Sequence, residues 1–246
     1  PIVVSAAGGI ETARLVGDDL EPEEPGYTTP GPAHVSLYLG FRADVENLGG
    51  TRYCQWFYET WDSEVDVWDV SPGRDPGRAA VLFCSFPSIK DPAHDPGPEL
   101  RHTGEAITFV PWEPFARWQG TRWGRRPDGY EAFKEELTDA LLGQYLEHYP
   151  RLAPHVDHVE LSTPLSTQHF ARSAQGSIYG LATEPRRFFD PGLLPRSRVK
   201  GLYVGGVDAS TPGIAGGLSG GVMAAVAVEP LRGTRFVRSL MRAGAG

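Results

Sequence analysis

The residues best placed to do chemistry form one run near the end of the chain. Residues 202–207 are apolar apart from glycines and predict a short strand buried on both faces. Asp208 follows at the carboxyl end of that strand, the edge at which open α/β sheets bind ligands. The run therefore indicates a strand, a turn and a helix start that offer backbone to a ligand.

The segment after Asp208 has the composition of a helix start. Ser210 and Thr211 supply capping hydroxyls, Pro212 suits a first helical turn, and Gly213 lets another backbone or a ligand approach closely. Small residues separate the larger apolar ones through residues 214–228, which predicts a helix that lies tight against a sheet or a ligand. Its free N–H groups would point at whatever lies above it.

Three other interpretations of local patterns are open. In the first, the small residues of the predicted strand, turn and helix serve packing alone and bind no ligand. Gly217-Leu-Ser-Gly-Gly221 matches the nucleophile elbow of α/β-hydrolases, but no histidine follows Ser219, and the match falls inside the predicted helix. His155 and His158 have a spacing that could suit a metal, but Pro154 and the strand-like residues that follow favour solvated loop histidines and no metal site.

The ordered set of motifs resembles one flavoprotein family. The motifs are Ser162-Thr-Pro-Leu-Ser-Thr167, Gly176-Ser-Ile-Tyr-Gly180 and the block from Gly201 to Gly216, with weaker similarity in residues 3–8, 34–40 and 86–92. In that order and spacing they resemble the C-terminal half of the family of phytoene desaturases, carotenoid isomerases and retinol saturases (all-trans-retinol 13,14-reductases). The short glycine run after Pro212 is more similar to the retinol-saturase branch.

The resemblance implies FAD as cofactor and assigns residues to it. In the family, an acid on the last strand binds the ribityl chain of the flavin, and the following helix start approaches the flavin ring and pyrophosphate. The matching positions here are Gly206, Asp208, Thr211, Pro212, Gly213, Ile214, Ala215 and Gly216. The resemblance also places Tyr179 and Gly180 near the flavin ring, on the substrate side, although a core tyrosine in a turn is an equal alternative.

A family member would also carry a Gly-x-Gly-x-x-Gly fingerprint for the FAD pyrophosphate, which this sequence lacks. We therefore expect an N-terminal FAD-binding half on the same or a separate polypeptide. The predicted fold is α/β, with an α+β substrate domain beside the last strand and helix of a Rossmann-type FAD-binding domain. The predicted boundaries are 1–20 for the end of the dinucleotide-binding half, 21–198 for the substrate domain and 199–246 for the C-terminal FAD-binding part.

Composition limits the classes of partner. A net charge of −8 on 246 residues argues against a nucleic-acid surface. The longest uncharged helix, 214–228, is too short to span a bilayer of about 30 Å. We expect a cytoplasmic protein and leave peripheral membrane contact open, because polyene substrates reside in membranes.

Strands are predicted at 34–41, 51–60, 79–85 and 105–110, and residues 2–5 predict a further buried strand that leads into a turn at residues 7–9. Apolar residues at helical spacing predict a helix between Pro127 and Pro150. Residues 112–126 are rich in aromatic residues and arginines. They could line a mouth for a hydrophobic or anionic ligand, or they could form a half-buried lobe whose arginines face water.

These observations together predict a portion of an FAD-dependent oxidoreductase. Its substrate would be a small hydrophobic molecule, a polyene or isoprenoid-like lipid, and its reaction that of a desaturase, saturase or isomerase at C=C bonds. An amine-oxidase-like flavoenzyme and a non-catalytic half-flavoprotein that serves as a scaffold are the alternatives.

Overall fold

The computed structural model describes residues 1–17, 29–62, 67–127, 129–189 and 194–243. The chain divides into two compact units, a central unit of residues 32–171 and a terminal unit of residues 1–31 and 172–246. Residues 172–189, which follow the central unit, therefore cluster with the two ends of the chain. The assignment of a substrate role and a cofactor role to parts of the chain stays a prediction.

The central unit contains an antiparallel sheet of five strands, β2 (Ala33–Arg42), β3 (Gln55–Tyr58), β4 (Val81–Ser85), β5 (Arg101–Val110) and β6 (Val156–Ser162). Their order across the sheet is β3-β4-β5-β2-β6. Its helices are α2 (Pro87–Lys90), α3 (Glu113–Ala116), α4 (Tyr130–His148) and α5 (Pro164–Ala171). This unit is the α+β architecture expected from the sequence.

The hydrophobic core of this unit lies between the sheet and α4. Val35, Leu37 and Leu39 alternate along β2 and are buried, as expected of one covered face of a strand. Leu137 and Leu141, four residues apart on α4, are fully buried in the same cluster. The predicted strand at 34–41 and the predicted helix after Pro127 are thus confirmed, whereas β3 is shorter than predicted and β5 begins earlier.

The aromatic and arginine-rich segment mostly belongs to this core. Phe115 and Trp118 are buried, and the Arg117 guanidinium lies 3.8 Å from the centre of the Trp118 ring. Trp123 is exposed, and its ring is stacked on the ring of His169, with the two ring centres 5.9 Å apart. This arrangement corresponds to the half-buried lobe and not to an open ligand mouth.

The terminal unit contains two strand–turn–helix segments from opposite ends of the sequence. Strand β1 (Val3–Ser5) precedes α1 (Gly9–Val16), and β7 (Leu202–Val204) precedes α6 (Gly213–Val228) and α7 (Pro230–Ala243). The two strands pair in parallel, Val3 with Leu202 and Ser5 with Val204. The predicted turn at residues 7–9 and the predicted helix at 214–228 are confirmed.

The prediction that both strands are buried is wrong for most of their residues. Ile2, Val3 and Val4 are exposed, and of the three β7 residues only Val204 is buried. Among the described residues each of these strands has the other as its sheet neighbour, and a pair of short strands cannot cover its own faces. Nor is any helix in the described ranges long and apolar enough to cross a membrane.

Candidate functional site

The candidate site lies where β1 and β7 end side by side. Because the two strands are parallel, their carboxyl ends meet at one edge of the sheet, and α1 and α6 both begin there. A 3-10 turn, Val207–Ala209, follows β7 and carries Asp208. The edge predicted from sequence to bind a ligand is therefore formed within the terminal unit.

Asp208 is buried, with 3% of its surface exposed, and its carboxylate joins distant segments of the chain. Oδ2 accepts a hydrogen bond of 2.6 Å from the N–H of Gly9, the first residue of α1. Oδ1 accepts one of 2.9 Å from the N–H of Leu181. An acid at the start of a helix also interacts favourably with the helix dipole. Asp208 thus caps α1 and fixes the backbone at Leu181.

Arg187 supplies the positive charge for this buried acid. Its Nη2 lies 3.4 Å from Asp208 Oδ1 and donates a 2.7 Å hydrogen bond to the carbonyl of Val207, while Nη1 donates one of 2.6 Å to the carbonyl of Leu181. Burial lowers the pKa of Arg187, and the Asp208 carboxylate opposes that shift. Sequence reasoning missed this residue, because nothing in its neighbourhood distinguishes Arg187 from the other arginines.

The predicted substrate-side residues lie next to the same carboxylate. Gly180 has a φ of +74°, and a β-carbon on it would overlap the Asp208 carboxylate and lie 3.0 Å from Cγ. Its carbonyl accepts a 2.6 Å hydrogen bond from the N–H of Gly31. Tyr179 is half-buried. The structure thus brings the turn with Tyr179 and Gly180 against Asp208, and contact of either residue with a substrate stays a prediction.

The start of α6 differs from the predicted cap. Pro212 is the N-cap residue and precedes the helix, and no side chain caps the helix. The Ser210 hydroxyl lies 2.7 Å from the Ser219 hydroxyl, inside the helix, so it is turned toward the body of α6. The expected capping by Ser210 or Thr211 is therefore wrong. Ser219 is a small helix residue, as the sequence suggested.

Backbone donors are consequently available at this helix start. The first N–H groups of an α-helix, here those of Gly213, Ile214 and Ala215, have no partner within the helix. Ile214 is 96% exposed, and a β-carbon on Gly213 would have open space around it. Such an end attracts an anion or another acceptor group.

The remaining predicted cofactor residues help to shape the turn. A β-carbon on Gly216 would overlap the carbonyl of Thr211, and one on Gly220 would overlap the carbonyl of Gly206. Gly206 itself has a φ of +83°. Gly216 and Gly220 therefore let α6 lie directly on the loop that precedes it. This close packing accounts for the small residues in the first half of the helix.

The two histidines considered as metal ligands lie in the other unit. His155 ends a 3-10 helix, and His158 is exposed on β6, 3.7 Å from Glu160. The described part of the chain contains no group of three or more His, Cys, Asp or Glu side chains that could hold a metal ion.

Comparison with known proteins agrees with the resemblance to the retinol-saturase branch. The chain is 27% identical over 240 residues to the human protein named all-trans-retinol 13,14-reductase and 26% identical over 244 residues to the rat protein of that name, in each case over 93% of this chain. A zebrafish protein named inactive all-trans-retinol 13,14-reductase is 26% identical over 249 residues. The chain spans 39% of the length of these relatives. No protein-family model matches it.

Proposed function

We propose that this chain is a portion of an FAD-dependent oxidoreductase that acts on C=C bonds of a polyene or isoprenoid-like lipid, in the manner of a saturase. The observation that carries the proposal is the similarity over 93% of the chain to proteins named as retinol reductases. The two parallel strand–turn–helix segments support it, since their strands end side by side at one edge, the position at which open α/β sheets bind ligands.

The residues at this edge fit a flavin cofactor. The N–H groups of residues 213–215 suit acceptor atoms of the cofactor, because no side chain competes for them. Gly213 leaves room for close approach. The Asp208 carboxylate is buried and already accepts hydrogen bonds from Gly9, Leu181 and Arg187, so its part at this edge is to hold the strand end and the start of α1 in place, and its contact with the ribityl chain stays a prediction. When bound, FAD supplies the hydride and electron chemistry, and the protein positions it and excludes water.

We assign the rest of the FAD site to an N-terminal half on the same or a separate polypeptide. The sequence lacks the glycine fingerprint for the pyrophosphate, and the apolar residues Ile2, Val3 and Val4 are exposed on a two-stranded sheet. Further parallel strands beside β1 or β7, with the crossover helices that pack on the faces of such sheets, would cover these residues. Because the proposed substrate is hydrophobic and resides in membranes, the proposal includes peripheral contact of the protein with a membrane.

The test uses the full-length protein that contains this chain. A visible absorption spectrum and intact mass on one purified sample show whether flavin is bound and whether a second polypeptide accompanies it. The flavin is then reduced under anaerobic conditions and mixed with all-trans-retinol. Gain of two hydrogens by retinol, detected by mass spectrometry, with reoxidation of the flavin supports the proposal. A preparation that binds flavin and leaves retinol unchanged contradicts the retinoid substrate, and one that binds no flavin contradicts the cofactor.

A non-catalytic half-flavoprotein is the second candidate, and one observation favours it. One relative similar over 92% of this chain is named inactive. Under that alternative the full-length protein holds no flavin. The flavin bound per protein in the same experiment therefore separates the two candidates.

A further inference from the structure

Arg187 is the buried charge in the terminal unit for which the proposed function gives no role. It lies in a 3-10 turn, Pro185–Phe189, and 5% of its surface is exposed. Burial of a guanidinium is costly unless a counter-charge and hydrogen-bond acceptors surround it. Asp208 is the counter-charge, at 3.4 Å, and its carboxylate is equally buried.

The two ends of the guanidinium hold different parts of the site. Nη1 binds the carbonyl of Leu181, the residue after the turn that carries Tyr179 and Gly180. Nη2 binds the carbonyl of Val207 and reaches Asp208, both in the 3-10 turn that follows β7. The planar fork of arginine can hold two such acceptors at a fixed separation, which a lysine ammonium cannot do.

The backbone at Leu181 is held from both sides by this pair. Its N–H donates to Asp208 Oδ1, while its carbonyl accepts from Arg187. Asp208 in turn accepts from Gly9 at the start of α1. Three segments that are far apart in sequence therefore meet at one ion pair, which sets the distance between the turn at residues 176–181 and the strand end at Asp208.

We propose that Arg187 is a positioning residue of the enzyme, which fixes the turn at residues 176–181 against the strand end that carries Asp208. The proposal rests on the proposed function, in which that turn lies on the substrate side and the strand end on the cofactor side. Arg187 acts through the Leu181 and Val207 carbonyls and touches neither ligand. Its loss should displace the turn while β7, its pairing with β1 and the start of α6 remain in place.

The experiment compares Arg187→Met, Arg187→Lys and wild type in the full-length protein. Arg232→Met, on the exposed surface of α7, is the matched control. The readouts are bound flavin per protein, steady-state kcat and KM for all-trans-retinol, and hydrogen exchange of the peptide that spans residues 176–184. Arg187→Met should exchange faster in that peptide and, with kcat/KM expressed per bound flavin, lose about 10- to 100-fold in kcat/KM, the loss typical of a misplaced substrate. Arg187→Lys should lie between Met and wild type, and Arg232→Met should match wild type.

Unchanged exchange of the 176–184 peptide in Arg187→Met overturns the proposal, and so does unchanged kcat/KM. If Arg187→Met does not fold, the Arg187→Lys variant decides the question, because it keeps the buried charge. A wild-type kcat/KM in Arg187→Lys overturns the proposal. A reduced kcat/KM with full flavin occupancy supports it. If wild type itself binds no flavin, the proposed function has failed, and if it binds flavin and leaves retinol unchanged, the retinoid substrate has failed. In both cases the exchange comparison alone decides whether Arg187 holds the turn.

Discussion

Gly180 and Asp208 lie so close that no side chain fits between them. A β-carbon on Gly180 would overlap the Asp208 carboxylate, and the φ of +74° at Gly180 also disfavours any other residue. The carboxylate reaches the Leu181 N–H because the turn approaches it without a side chain at Gly180. The turn and the acid are therefore one structural feature, although 27 residues separate Leu181 from Asp208.

Gly180→Ala should destabilise the terminal unit. The new methyl group must displace either the Asp208 carboxylate or the turn, which costs about 1–3 kcal/mol in well-packed sites. Gly73→Ala is the control, because Gly73 has a similar φ of +77° and open space around a β-carbon. Urea denaturation should show a larger loss in unfolding free energy for Gly180→Ala than for Gly73→Ala. Equal losses would mean that backbone strain alone, and not the contact with Asp208, restricts position 180.

Adjacent glycines on α6 should respond in opposite directions. Gly220→Ala places a methyl group on the carbonyl of Gly206, so the helix must move away from the turn, and stability should fall by about 1–3 kcal/mol. Gly221→Ala meets open space in a helix interior and should gain about 0.5–1 kcal/mol. Thermal denaturation of both variants tests this. Loss of bound flavin in Gly220→Ala alone would further connect the packing of α6 with the cofactor.

Asp208→Ala should lower both stability and flavin retention. The substitution leaves Arg187 buried without its counter-charge, and breaking a buried ion pair in this way costs about 3–5 kcal/mol. It also removes the acceptor for the N–H of Gly9. Glu229→Ala, an exposed acid of the same unit, is the control. Flavin absorbance per protein after gel filtration is the measurement, and unchanged flavin occupancy in Asp208→Ala would remove Asp208 from the cofactor site.

The sequence predicted those elements whose residues carry a local pattern. The alternation in β2, the helical spacing in α4 and the glycine turn before α1 are all readable from a few neighbouring residues. The ion pair between Arg187 and Asp208 could not be predicted from neighbouring residues, because it depends on segments that the fold brings together across 20 or more residues. The cap of α6 was mispredicted for a related reason: the Ser210 hydroxyl found a tertiary partner, Ser219, instead of the local N–H groups.

Replacement of Gln144 should destabilise the central unit. Its side-chain amide, on α4, accepts from the N–H of Ala79 and donates to the carbonyl of the same residue, both at 2.9 Å. Gln144→Leu leaves these two buried backbone groups without partners, at about 1–3 kcal/mol for each. Gln119→Leu on the surface should change stability by less than about 0.5 kcal/mol. A Gln144→Leu variant as stable as wild type in urea would show that the backbone at Ala79 finds other partners.

Glu59 should make the central unit less stable in acid. Hydrogen bonds from Arg78, above all, and from Gln144 lower the pKa of Glu59 below its ordinary value of 4.5, against the opposing effect of partial burial. A carboxyl group whose pKa is lowered by folding stabilises the folded state fully above its unfolded pKa, and that contribution disappears as the pH falls through the folded pKa. Unfolding free energy should therefore decline below about pH 4.5, and the decline should be shallower in Glu59→Gln. Urea denaturation from about pH 7 to about pH 3 measures both curves, with the exposed Glu136→Gln of α4 as control. Parallel curves for wild type and Glu59→Gln would show that the Arg78 and Gln144 contacts do not contribute to acid sensitivity.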